Sequence, residues 1–348
     1  MNNFENRDNK LINSYEFARN ADIVFSEVVS NNEFSKLNLK NFNVVFKQNS
    51  TILYKKNNFT LRENTVIFTS IVLVEELFKL LYQIKDFKNI KIICAQGDDD
   101  FSNLLLDKKP NCVSKIYSTN VSTKNEKLIP IPIGLSNNYS PKNLLIKDFN
   151  ELNVTNYFKS KENFLYVNFQ ENTNSSKREN IYSFFESKEW ARVDHPNLEL
   201  NDYKNNLENS SFILCPWGNG FDTHRIWESL YSGSIPIIEN HITYQYLENL
   251  PAIFIDNLVN LNEKYLDDSI KNLSENDFNF EKLYMNYWIN KIRQEEILGD
   301  KEYLIKQSIF SNYLFIFQFR LKQRLLSINK KIKFRYKQIK KFFLNKIN

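Results

Sequence analysis

Short apolar runs recur through most of the chain, separated by polar stretches or by segments whose apolar positions repeat every three or four residues. Brief apolar runs bounded by turn formers read as strands, and the three-and-four spacing reads as amphipathic helix. On that basis residues 21–25, 43–46 and 51–54 are predicted as short strands. Residues 66–70 form a further strand that feeds a helix over about 72–84, with more strands at 91–95 and 113–117. Residues 128–135 hold Pro130 and Pro132, which cannot donate to a ladder, so an irregular edge or connector is expected there. A polar stretch, 136–161, reads as a linker. The alternation then resumes, with strands at 163–169, 190–193, 212–214, 235–238 and 254–256 and helices over about 203–209, 223–231 and 281–293. Strands alternating with helices predict an α/β chain with mostly parallel sheets. The expected division is an N-terminal α/β domain, 1–155, a C-terminal α/β domain, 156–302, and a helical tail, 303–348.

Residues 211–238 organise the reading. An apolar strand runs into a loop, Pro216-Trp217-Gly218-Asn219-Gly220-Phe221-Asp222, then a helix, then a second apolar strand, and three of the six glycines fall within it. Such a βαβ unit puts the loop and the helix N-terminus at the carboxyl edge of a sheet, where free N–H groups and the helix dipole favour an anion. Asp222 or Thr223 is placed to cap the helix, and His224 and Arg225 fall in its first turn. Arg225 and Glu228 are three apart and share a face. Arginine suits a pyrophosphate bidentately and glutamate suits the two hydroxyls of a ribose, but the same pair also reads as a surface ion pair beside a structural turn. Glu239, at the end of the following strand, is an alternative ribose or sugar ligand. Asp98-Asp99-Asp100 follow the strand at 91–95. Mutual repulsion there suits a general base, and helix capping explains the run equally simply.

The stretch from Ser211 to Ile238 resembles the donor-binding signature of exostosin-like glycosyltransferases, more closely the compact bacterial and viral members than the animal enzymes. Ile131-Pro132-Ile133-Gly134-Leu135 and Asn168-Phe169 followed by Arg178 agree with it. The resemblance implies a GT-B fold, two Rossmann-like domains facing a cleft, with a C-terminal helix crossing back onto the first domain. It also implies a nucleotide-sugar donor as substrate, no separate cofactor and no catalytic metal. Carried onto this sequence, Gly218, Asn219, Gly220, Asp222, His224, Arg225 and Glu228 form the donor site. Arg178 meets the phosphates from across the mouth, and Asp98 and His224 are the candidate catalytic groups.

Composition narrows this. Three scattered cysteines make neither a disulfide framework nor a zinc site, and three histidines do not make a His-rich metal centre. No apolar leader opens the sequence. The net charge of +5 hides an asymmetry: residues 303–348 hold 12 basic and no acidic residues, leaving 34 basic against 41 acidic in residues 1–302. A nucleic-acid partner is therefore not indicated by overall charge. In the tail Leu321, Leu325, Ile328, Ile332, Tyr336, Ile339, Phe343 and Ile347 recur at helical spacing among Lys and Arg, the pattern of a helix lying on an anionic membrane. A helix docked on the acidic body or pairing in a coiled coil has the same pattern. The expectation is a cytoplasmic enzyme, peripheral on the inner face of the membrane. It would move a sugar from a nucleoside diphosphate, UDP being favoured, to a glycan or lipid-linked glycan, with inversion. A fucosyltransferase-like enzyme using a GDP-sugar and a non-catalytic glycan-binding or scaffold protein are the alternatives.

Overall fold

The computed structural model describes residues 10–37, 40–140, 142–149, 152, 154–294 and 298–347. The chain forms two compact units. One comprises Met1–Glu27 and Leu61–Tyr303; the other comprises Val28–Thr60 and Leu304–Asn348. Residues 28–60, read from sequence as part of the N-terminal domain, thus group with the tail.

The first unit holds two Rossmann-like α/β halves, each built on a five-stranded parallel sheet. Strands β1 (Ile23–Val24), β2 (Val66–Ser70), β3 (Ile90–Ala95), β4 (Val113–Ser118) and β5 (Leu128–Pro130) lie side by side in chain order. Every position of β2 and β3 is buried, polar Thr69, Ser70 and Lys91 included, as expected where both faces of a parallel sheet are covered. Strand β5 is an edge, as its proline demands. The second sheet contains β6 (Asn163–Val167), β7 (Ala191–Val193), β8 (Ser210–Leu214), β9 (Ile235–Glu239) and β10 (Ile253–Ile255). Their spatial order is β7-β6-β8-β9-β10, all parallel. The chain therefore starts in the middle of this sheet, steps one way, and then reverses between β6 and β8. In open α/β sheets the crevice beyond the carboxyl ends of the strands at such a reversal is where ligands bind.

Helix α1 (Leu200–Glu208) precedes β8, and α2 (His224–Tyr231) joins β8 to β9, burying Ile226, Trp227 and Leu230 against the sheet. The helix expected over 281–293 is divided: Phe280–Leu283 is a 3-10 turn, Tyr284 is extended, and α3 runs Met285–Arg293. It crosses back onto the first sheet. Arg293 donates to the Asn20 carbonyl at 2.7 Å and to the Asp22 carboxylate at 2.9 Å, and Lys91 donates to the Ile292 carbonyl at 2.7 Å.

Strand Ser26–Ser30, which runs from the first unit into the second, joins a three-stranded sheet in which Phe42–Gln48 and Thr51–Lys56 pair antiparallel. The strands expected at 43–46 and 51–54 are present, but they form a hairpin of their own rather than joining the parallel sheet. A short apolar run marks a strand and not its partner. Helix α4 (Ile309–Ile347) packs on this hairpin through buried Asn312 and Ile316 and through Phe319, whose ring lies 6.4 Å from that of Phe46. The expected stripe at Tyr336, Ile339, Phe343 and Ile347 lies outside the described side chains. No described helix is long and apolar enough to cross a membrane.

Candidate functional site

The crevice at the β6/β8 reversal holds two adjoining cavities. The smaller, about 220 Å³, is lined by Gly218–Gly220, Asp222–Arg225 and Glu228 from the second sheet, with Asp98 and Ile133 from the first. The larger, about 900 Å³, opens towards Asn168, Asn172 and the 196–201 loop, and shares Lys142, Asn143, Gln170, Tyr203 and Arg225 with the smaller. Of the residues singled out from sequence, all except Glu239 line the smaller cavity. Glu239 is not among its lining residues and pairs with Lys177 at 3.7 Å. Lys177 in turn lies 4.6 Å from the centre of the Trp217 ring.

Arg225 stands at the junction of the cavities. Its guanidinium takes part in no hydrogen bond or ion pair among the described residues, and its Nε–H is buried without a partner. It lies over the Tyr203 ring, 5.6 Å from the centre, which supports the cation without neutralising it. The surface ion pair with Glu228 is absent. Glu228 is 4% exposed, and its Oε2 accepts from the Tyr203 hydroxyl at 2.7 Å, on the cavity floor. The N-terminus of α2 likewise lacks a side-chain cap. Thr223 is the capping residue but makes no side-chain cap bond, and its Oγ1 is buried without a partner. An uncapped helix end, an orphan hydroxyl and an unpaired guanidinium thus meet at one wall, and each is able to donate to an anion.

The two other charged residues of the motif are held differently. Asp222 does not cap α2 with its side chain. Its carboxylate, 3% exposed, accepts from the Ile133 N–H at 2.7 Å and the Trp227 ring N–H at 3.3 Å, tying the first sheet's last loop to α2. Burial outweighs those donors and pushes its pKa up to about 7. Arg178 is 5% exposed and serves as a staple. It donates to the carbonyls of Gln170, Pro216 and Trp217 and to the Thr173 hydroxyl, all at 2.6–2.7 Å. Four of its five N–H groups hold the two loops that frame the crevice, rather than standing free towards the cavity as expected.

The His224 Nδ1 lies 2.8 Å from the Gly134 carbonyl. A carbonyl only accepts, so Nδ1 carries the hydrogen, and in the neutral ring Nε2 keeps its lone pair. Gly134 permits this: it has φ +69°, and a β-carbon there would fall 2.2 Å from the Ile12 carbonyl oxygen. Gly220 is required for another reason, since a β-carbon would lie 2.7 Å from the Asn120 amide, which itself accepts from the Asp222 N–H. Asp98 is exposed just past the end of β3, and the N-cap position of the short helix Asn103–Leu106 is Ser102, so Asp98 is not at that helix's cap.

Residues 149–297 match the RXYLT1 C-terminal domain. The match covers β6 to α3, including every strand of the second sheet, and supports a glycosyltransferase-like family related to the exostosins. It does not point to the compact bacterial and viral type. No curated protein matches the chain.

Sequence reasoning missed Lys142, an exposed cation lining both cavities, and Tyr203, which links Glu228 to Arg225. Lys142 sits in a polar linker with no periodicity to mark it. Tyr203 reads as one more apolar position of its helix.

Proposed function

We propose that the protein transfers a sugar from a nucleoside diphosphate to a glycan hydroxyl. The observation that carries this reading is the unpaired Arg225 guanidinium beside the uncapped end of α2, at the reversal point of a Rossmann-like sheet. The guanidinium is half-buried and stays charged beside Glu228 and Tyr203, yet its donors face the cavity without an acceptor, so an anionic ligand there gains charge-assisted hydrogen bonds. The glycosyltransferase-like match over the same sheet supports a nucleotide-sugar as that ligand. In a GT-B arrangement the diphosphate lies against Arg225 and the N–H groups of the α2 end, with Lys142 as a second cation and the nucleoside in the larger cavity. As the sugar leaves, negative charge grows on the diphosphate, where these donors are already positioned to meet it. Asp98, on the opposite sheet, is the candidate base for the acceptor hydroxyl. His224 Nε2, held in the lone-pair tautomer, accepts from a donor or acceptor hydroxyl. Glu228 orients Tyr203 under the guanidinium and presents its other oxygen to the ribose.

The test is thermal stabilisation by UDP and GDP, followed by hydrolysis of a panel of nucleotide sugars. The wild-type protein is expected to be stabilised by one of the two. Arg225→Ala loses that shift and lowers kcat/KM by about 10²–10³-fold, the cost of removing one transition-state donor. Its melting temperature without ligand stays near the wild-type value, because the Arg225 guanidinium makes no polar bond among the described residues. Normal turnover by Arg225→Ala, or no response of the wild type to either diphosphate, overturns the reading.

A further inference from the structure

The second unit carries most of the chain's unbalanced positive charge. Residues 28–60 and 304–348 together hold 17 Lys and Arg against one acid, Glu33, a net of +16, whereas the first unit has 29 basic and 40 acidic residues, a net of −11. The basic surface is therefore not the tail alone. The inserted hairpin contributes Lys36, Lys40, Lys47, Lys55 and Lys56, and it packs on the basic helix.

Helix α4 has two apolar faces. One, through Ile316 and Phe319 beside the hydrogen-bonded Asn312, is turned onto the hairpin. The other comprises Phe310, Leu314, Phe317, Leu321, Leu325, Ile328 and Ile332, spaced four, three, four, four, three and four apart, and each is 45–76% exposed. At 3.6 residues per turn these seven lie within an arc of about 80°, opposite the packed stripe, and extend along roughly 33 Å of helix. Arg324, Lys331 and Arg335 follow one border of this arc and Lys322 stands beyond the other. Where the helix crosses the hairpin, Lys47, Arg320 and Arg324 line a cavity of about 450 Å³ floored by Val44 and Phe46. No acid lines it. Arg320 is anchored there by bonds to the carbonyls of Val44 and Val45 at 2.9 and 2.8 Å.

We infer that this composite unit is a docking surface for an anionic lipid bilayer. Phe310 to Ile332 immerse among acyl chains, and the Lys47–Arg320–Arg324 cavity takes a lipid phosphate. Charge complementarity selects an anionic surface, and the apolar arc selects lipid over nucleic acid, since a row of Leu and Ile has no counterpart on a phosphate backbone. The proposal stands independently of the catalytic reading.

The test is flotation of the full chain with vesicles of phosphatidylcholine alone or with about one-third phosphatidylglycerol. Binding is expected only with the anionic vesicles. Leu321→Glu/Leu325→Glu is expected to weaken it about thirtyfold or more, by removing apolar area and adding two negative charges. Lys47→Gln/Arg324→Gln is expected to weaken it about tenfold. All these side chains are exposed or line an open cavity, so melting temperatures are expected to stay unchanged. Failure to float with anionic vesicles overturns the proposal. So does salt-sensitive binding that ignores Leu321 and Leu325, or tighter capture by a single-stranded oligonucleotide than by the vesicles.

Discussion

Two arginines of the site divide the work that either could do by type. Arg178 spends its donors on loop carbonyls, and Arg225 spends none within the protein. Burial holds the Arg178 guanidinium below its ordinary pKa, down to about 10, so it stays charged at neutral pH while fully engaged. Replacing it leaves three carbonyls short of partners in the interior. Arg178→Ala is expected to destabilise the protein by about 3 kcal/mol, read as a lower urea midpoint, whereas Arg225→Ala changes that midpoint by less than about 0.5 kcal/mol. Equal losses from the two would show that Arg225 is also structural. The distinction was not legible from residue type. Lys177 and Arg178 are neighbours of like charge, yet one lies over Trp217 at the surface and the other turns inward. A one-residue step on a single helical turn decides which, and only the packing of the Trp217 loop fixes that rotation.

At the scale of elements, the β8–α2–β9 unit was legible because it is local: apolar strands, a glycine-bearing loop and a three-and-four-spaced helix lie within 28 consecutive residues. What the loop is packed against was not legible. Gly218 and Gly220 read alike as a phosphate-cradling pair, but Gly220 makes room for Asn120, a residue about a hundred positions earlier. Asp222 read as a helix cap, and the structure uses it to fasten α2 to the Ile133 N–H of the first sheet. Its raised pKa gives that joint a pH dependence. In the unfolded chain Asp222 titrates near 3.9 and in the fold near 7, so folding favours the protonated acid. The stability this group contributes is fully present below about pH 4 and is lost as pH rises through about 7. Wild-type stability is expected to fall against that of Asp222→Asn by up to about 1.4 kcal/mol per pH unit between pH 5 and 7, measured by urea unfolding at successive pH values. A constant difference would show that the carboxylate stays ionised on its N–H partners.

Across the whole molecule, the alternation of strand and helix foretold two α/β sheets, but not that residues 28–60 leave that pattern to build a separate unit with the tail. The grouping of the hairpin with the tail leaves no local trace, because Phe42–Gln48 and Thr51–Lys56 read as short apolar runs like the other strands and nothing in them names a partner about 250 residues later. It matters for charge. Counted along the chain, the protein is mildly basic with a basic tail; counted by unit, it is a +16 body of 78 residues joined to a −11 body. Charge segregated to that degree governs association more than the net value does. At pH 9.2, above the isoelectric point of about 8.8, the net charge is slightly negative while most lysines remain protonated. A uniformly charged protein would flow through a sulfonate resin under those conditions. This one is expected to be retained and to elute only on raising salt. Neutralising Lys36, Lys40, Lys47 and Lys56 together should lower the eluting salt concentration, and neutralising four exposed lysines of the first unit should leave it nearly unchanged. Equal shifts from both sets would mean that the resin reads total charge, and that the second unit presents no concentrated basic face.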